Sequence, residues 1–470
     1  MERLKELKTC TSNSADLIIN ELVINGINSA IVTCDGLCSP LIIIDSFYQP
    51  LTEISLENKS PQELKNHIMQ NLMFSTDRIV VPKFEDVYRL LYSGFAVLII
   101  EGVEECLAFG IQGYPARSVS EPSGEGNIMD AKDGFVESAR VNMSLVRRRI
   151  KSPLLKFELM QIGEKSQTDV FLCYFTDKAP DDLVNSVRKT LQDIRLETVL
   201  ASGYIRPFLE DSKFSLFDNV STTERPDVLC AKILEGRVAI IIDGTPFTII
   251  VPRLITEIFQ TMDDYNYRPY YALYIRLLKY FSALIAVFFP AVYVAAAVHH
   301  QQWFDESFFR ILNEAKENSA FPLTVEALII LFMYEIIREA GLRLPKLAHG
   351  AVSIVAGLIL GQAAVDSGFM SIPMLTVCAL SIISTGAVPE LNQSATVVRP
   401  LLVIMGGIWG FLGVSLGFCL MLLNLLRTKT YGFHLTSPLY PLKPKAMKDI
   451  LTRKSFKKAQ DENFTIDDVK

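Results

Sequence analysis

Four stretches of this chain are long enough to cross a bilayer and carry no charged residue, and all four follow Lys279. They are Tyr280 to Val298, the apolar residues between Lys346 and Asp366, those between Asp366 and Glu390, and those between Arg399 and Arg427. About 20 apolar helical residues span a hydrocarbon core. A charge at a helix centre costs about 2.5–3.5 kcal/mol, so four charge-free windows are a strong constraint. The expectation is an α-helical polytopic membrane domain over 266–430, with clean spans near 280–298, 347–365, 368–389 and 400–426.

The stretch Phe321 to Ala340 is apolar too, but it contains Glu326, Glu335, Arg338 and Glu339. An intramembrane charge needs a pathway, a partner or water to offset its cost, which makes these four residues candidates for a pore or gate. Glu335 and Glu339 are one helical turn apart with Arg338 near both, so a local ion pair is expected. A helix over 321–340 that packs on protein or lies at the interface is the plainer alternative. Arg268, Arg276 and Lys279 place the start of the first span inside. The tail from Arg427 holds ten Lys/Arg against five Asp/Glu, which favours the inside as well. Both ends inside requires an even number of spans, which four satisfy if 321–340 is re-entrant or interfacial; a five-span alternative brings Arg343, Lys346 and Arg399 inside but places the basic tail outside.

Gly406, Gly410, Gly413 and Gly417 form small-xxx-small spacings in the fourth window, and Gly357 and Gly361 repeat the spacing in the second. Such faces let helix backbones approach closely, within one chain or between subunits. Pro290 and Pro373 interrupt their helices and free backbone carbonyls that need another partner.

Before the membrane half, strand-like and helix-like runs alternate, which indicates a soluble α/β or α+β half. Leu41 to Phe47 and Asp169 to Phe175 read as buried strands, and helices follow from Pro61 and from Pro180. The segment from Gly94 and the segment from Gly236 both read glycine, strand, acid-glycine turn, strand. Thr76-Asp77-Arg78 and Thr223-Glu224-Arg225 precede them in turn. Two related modules are therefore expected, roughly Leu41 to Ala116 and Asp169 to Arg253. The domain plan is a first module in 1–130, a second in 131–265 with a leading basic helix, the membrane domain, and a basic cytoplasmic tail over 431–470. The basic helix ends in Arg147, Arg148 and Arg149, candidates for contact with lipid headgroups or another subunit. A solvated helix end favoured by the helix dipole explains the run equally well.

Other chemistry is missing from the sequence. It has no P-loop, no His-Glu-x-x-His, no Gly-x-Ser-x-Gly and no calcium loop. Cys34 and Cys38 are the only close cysteine pair, a poor zinc signal. No cofactor, metal or enzymatic activity is expected, and a net charge of -6 suggests no nucleic-acid partner. Met1 to Asn20 is polar and lacks the apolar core of a signal peptide, so the N-terminal half is expected on the cytoplasmic side.

Several segments carry a family resemblance. They are the loop and helix from Ala116 to Leu155, TERPDV at Thr223 to Val228, EGRVAIIIDGTPFTIIVP at Glu235 to Pro252, Asp263-Asp264-Tyr265, Phe321 to Lys346, and Gly350 to Gly368. In this order they resemble the A subunit of GerA-type nutrient germinant receptors of endospore-forming bacteria. Met129 to Lys132 departs from the family's Arg-Gly-Pro element, Arg195-Leu196-Glu197 departs from its usual acidic element, and the first 60 residues match weakly. The resemblance implies a multi-pass subunit of the spore inner membrane. It would act with a transporter-like B subunit and a lipoprotein C subunit in a receptor whose nutrient sensing triggers cation release. It also implies that the B subunit chiefly binds the nutrient. The A subunit would then be a homo-oligomeric part that conducts ions or transmits a signal. A non-conducting scaffold and a stand-alone transporter are the alternatives.

Overall fold

The computed structural model describes residues 2–39, 43–56, 60–71, 77–113, 125, 131–210, 215–303, 306, 319–344, 357–359, 361–443, 447, 450–451 and 465–469. Its N-terminal half contains two five-stranded antiparallel sheets of the same topology. The first has the order β1-β2-β4-β5-β3, with β1 Leu17–Ile24, β2 Ile27–Cys34, β3 Arg78–Val81, β4 Phe95–Ile100 and β5 Cys106–Gly110. The second has the order β6-β7-β9-β10-β8, with β6 Leu155–Ile162, β7 Thr168–Phe175, β8 Ser221–Thr223, β9 Val238–Ile242 and β10 Thr248–Val251. Strands β4 (FAVLII) and β9 (VAIII) are buried along their whole length because each sheet has an apolar core on both faces. That double burial explains why both read as unbroken apolar runs instead of alternating ones. The β4–β5 and β9–β10 turns place Gly102 and Gly244 at φ of +85° and +87°, values that glycine adopts at little cost.

The duplication is therefore real, but its first copy begins earlier than expected. Ile44–Tyr48 is helical, not a strand, while Leu41 and Ile42 lie outside the described residues. The true counterpart of β7 is β2. It is joined to β1 by a tight turn in which Asn25 and Gly26 both take positive φ, the requirement of a two-residue hairpin loop.

The C-terminal half is a helical bundle. Among the described residues, two helices are long and apolar enough to cross a membrane, Pro269–His299 and Pro389–Arg427. The second is not one rod. Gly410 breaks the run Asn392–Arg427 with φ +60° and ψ -141°. The chain then doubles back. A Cβ added at Gly406 would lie 3.2 Å from Val414, and one at Gly413 or Gly417 would collide with Met405 or Leu402 of the first arm. Both ends of the run meet one loop of the second module. Ser394 donates to Leu216 O (2.5 Å), and Leu216 N donates to Asn424 (2.9 Å). Two antiparallel arms of roughly 17–18 residues, each about 26 Å long, thus replace the single fourth span.

The same landmarks orient the other helices. The entry helix Pro269–His299 runs parallel to the first arm: Ala286 touches Arg399, and His299 reaches Gly407 at the hairpin tip. The charged helix Leu323–Arg343 runs antiparallel to it, with Thr324 packed against Gly407 and Glu335 bonded to Thr396. It lies alongside its neighbours and does not dip part-way into the bundle. The helix Ile372–Gly386 returns parallel to the charged helix. Of the second predicted span, residues 347–356 and 360 lie outside the described residues.

The tail folds back onto the second module. Ile255 N donates to Leu435 O (2.7 Å), Ile466 N donates to Glu235 O (2.7 Å), and Phe433 and Ile466 are buried in that module's core. Ile255, Ile258, Val388, Leu391 and Leu435 form a separate core where the module meets the bundle.

Candidate functional site

Pro290 has no N–H, so the Ala286 carbonyl one turn earlier has no helical donor. The structure supplies two. Arg399 Nε donates to Ala286 O at 2.6 Å and Ser381 Oγ donates to it at 2.8 Å. A second Arg399 nitrogen donates to Thr385 Oγ1 at 2.7 Å, so one guanidinium ties together the entry helix, the helix Ile372–Gly386 and the first hairpin arm. Arg399 is 3% exposed, and its hydrogen-bond partners are neutral. The sequence showed it only as the charge bounding an apolar window; the pointer to its role was the proline that releases its acceptor.

Arg399 also lines a cleft of about 330 Å³ between the charged helix and the first arm, with Leu328, Leu331, Phe332, Glu335, Thr396 and Pro400. Glu335 accepts from Thr396 Oγ1 (3.0 Å) and pairs with Arg338 (2.6 Å). Glu339 pairs instead with Arg343 at 2.7 Å on the exposed surface, so Arg338 does not bridge the two acids. Glu326 stands apart from this group. It is 1% exposed and accepts from the N–H and hydroxyl (2.6 Å) of Ser371, the residue preceding the helix Ile372–Gly386. That is an N-terminal cap supplied by a neighbouring helix, which ties Glu326 to helix packing.

The predicted glycine faces divide. Gly406, Gly410, Gly413 and Gly417 make close approaches within the hairpin or to the entry helix; a Cβ added at Gly410 would lie 3.2 Å from His299. A Cβ added at Gly357 would meet no described atom within 4 Å outside its own helix, and one at Gly361 would meet only Leu375 at 3.9 Å. Both border an apolar cavity of about 210 Å³ instead.

Two of the three arginines ending the helix Ala139–Arg149 are engaged by acidic partners within the N-terminal half. Arg147, 1% exposed, forms a two-point ion pair with Asp16 (2.7 and 3.0 Å) and donates to Ser152 O and Leu155 O (each 2.9 Å). The Tyr92 ring lies 4.2 Å from its guanidinium. Burial alone would lower its pKa, but the Asp16 carboxylate holds it above the ordinary value. Arg149 pairs with Asp133 (2.5 Å), and Arg148 alone of the three is exposed. Contact with headgroups is thus ruled out for Arg147 by its burial; its partners Asp16 and Tyr92 belong to the first module, so it joins the two modules.

Two further clusters, undetected in sequence, join the second module to the bundle. Arg253 pairs with Glu390 in the turn before the hairpin and approaches Asp218 at 3.8 Å. Asp264 is buried between Arg276 (3.0 Å) and Lys279 (3.5 Å) of the entry helix. Among the described residues, no group of three or more His, Cys, Asp or Glu side chains could hold a metal ion.

Known proteins are similar to this chain over almost its whole length. A family model described as Bacillus/Clostridium GerA spore germination protein matches residues 5–463. Spore germination protein KA of Bacillus subtilis (strain 168) is 35% identical over 96% of this chain and 84% of that protein. The uncharacterized membrane protein YfkQ of the same organism is 33% identical over 96% of this chain and 88% of its own length. The crystal structure of the N-terminal domain of the A subunit of the Bacillus megaterium spore germinant receptor GerK3 is 32% identical, covers 54% of this chain and 94% of that one, and superposes with a TM-score of 0.42.

Proposed function

The chain belongs to the GerA family of spore germination proteins, and from that premise we propose that it is the A-type membrane subunit of a nutrient germinant receptor. In this reading it sits in the spore inner membrane and acts in germination. The bundle then crosses the bilayer six times: once each by the entry helix, the charged helix and the helix Ile372–Gly386, twice by the hairpin, and once by the apolar window between Lys346 and Asp366, a span expected from the sequence. An even number returns the tail to the side of the soluble half, which agrees with their mutual packing and with the basic character of both flanks. The soluble half and tail then face the spore core. The expected partners are a transporter-like B subunit, a lipoprotein C subunit and further copies of this chain. Neither a cofactor nor turnover of a substrate is part of this role.

One observation carries the proposal that the chain forms or gates a cation-release pathway. Glu335, Thr396 and Arg399 line one cleft between largely apolar helices, with Arg338 paired to Glu335, and intramembrane charges of this kind mark pathways or moving parts. The test is ion conductance of the full chain in liposomes, alone and with the partner subunits. A cation current that Glu335→Lys changes severalfold, with assembly intact, is the expected result. A second reading is favoured by Arg253–Glu390 and the Leu216 contacts, which dock the second module on the bundle: a non-conducting subunit that transmits a signal. Silence in both preparations, with folding confirmed, would select it.

A further inference from the structure

We propose that Arg399 is a two-position latch, seated here on the carbonyl that Pro290 releases and on Thr385, with Glu335 across the cleft as its second seat. The first seat is made of neutral acceptors, Ala286 O and Thr385 Oγ1, and no carboxylate among the described residues lies within salt-bridge reach of the guanidinium. A buried cation held this way keeps much of its desolvation cost, and attraction to a carboxylate grows as water is excluded. Glu335 is the carboxylate that shares the cleft with it, and it is only half-buried.

Three features let the exchange occur without orphaning a group. Ser381 remains on Ala286 O after Arg399 leaves. Thr385 Oγ1 already donates to Ser381 O (3.2 Å) and loses only an acceptor role. Glu335 holds Arg338 on one oxygen and Thr396 on the other, and a carboxylate accepts more than one donor on each. About 330 Å³ of space lies between the walls, so the exchange draws the charged helix towards the first arm. The two states then differ in one discrete contact, the requirement for a switch between packings. The latch does not depend on whether the chain conducts ions.

The test is the width of the cleft, measured by the distance between nitroxide labels at Phe332→Cys in its lining and Leu401→Cys on the first arm next to Pro400, both exposed. It uses the full chain in lipid nanodiscs, with exposed Cys10 and Cys419 replaced by serine. The expected result is a major distance and a shorter minor one. Thr385→Val weakens the first seat and should raise the shorter population about threefold, while Glu335→Gln removes the second and should lower it at least about fivefold. Circular dichroism and monodisperse elution of both variants exclude misfolding. One unchanged distance in all three proteins, or a shift of both variants in the same direction, would overturn the latch.

Discussion

Arg147 in the soluble half and Arg399 in the bundle are almost equally hidden from solvent, yet their surroundings differ. Arg147 meets the Asp16 carboxylate at two points, two backbone carbonyls and the face of Tyr92. Arg399 meets one carbonyl and one hydroxyl, beside an open cleft. The first is a joint with its charge neutralised and its donors occupied, as suits two modules that must keep one orientation. The second is a joint with an unspent electrostatic interaction next to it, as suits an element that has somewhere else to go.

The largest effect should come from breaking the closed joint. Arg147→Ala leaves Asp16 buried and uncompensated, which costs about 3–5 kcal/mol. Denaturant unfolding of the full chain should show that loss, and hydrogen exchange should show it concentrated in β1, β2 and β6. A change below about 1 kcal/mol would mean that the modules are held by other contacts.

A smaller effect should separate close-packed from loosely packed glycines within the bundle. Gly413→Ala forces a methyl against Met405 and should destabilise by about 1–3 kcal/mol. Gly357→Ala has open space among the described atoms and should leave thermal stability in detergent unchanged or slightly raised. Equal effects at the two positions would contradict the hairpin packing.

The soluble half should also respond to acid in a way traceable to one residue. Burial raises the pKa of Glu158, but hydrogen bonds from Arg188, Tyr174 and Lys156 outweigh it and hold the carboxyl at about 2. Its folded pKa is depressed, so its contribution is complete above the unfolded value of about 4.3 and is lost as pH falls towards 2. Glu158→Gln should flatten the pH dependence of unfolding across that window. The smallest effect is expected at the exposed Glu339–Arg343 pair, where Glu339→Gln should change neither assembly nor melting.

How far the sequence revealed the molecule follows the same division between local and distant interactions. The β4–β5 and β9–β10 hairpins were legible because acid-glycine turns and apolar runs are local signals. The β1–β2 hairpin carried an equally local signal at Asn25-Gly26, but the apolar run LIIIDSF competed with it, and periodicity cannot tell a short buried strand from a helix. The fourth window was legible as apolar and not as folded: its hydropathy is the same for one long helix or two short ones, and the decision rests on the backbone of Gly410. Asp16 and Arg147 are 131 residues apart, and no pattern in either neighbourhood links them. The released carbonyl at Pro290 was foreseeable from covalent structure, but the residue that meets it was not.

The most direct test of this account concerns the hairpin, because it places the tail and the soluble half on one side. Single cysteines at Trp409 near the hairpin tip, Leu439 in the tail and Lys165 in the second module would be labelled with an impermeant maleimide in membrane vesicles of each orientation, in a background lacking Cys10 and Cys419. The cysteines at 439 and 165 should label from one face and the cysteine at 409 only from the other. Labelling at 409 from the same face as 439, or at 439 and 165 from opposite faces, would contradict this arrangement.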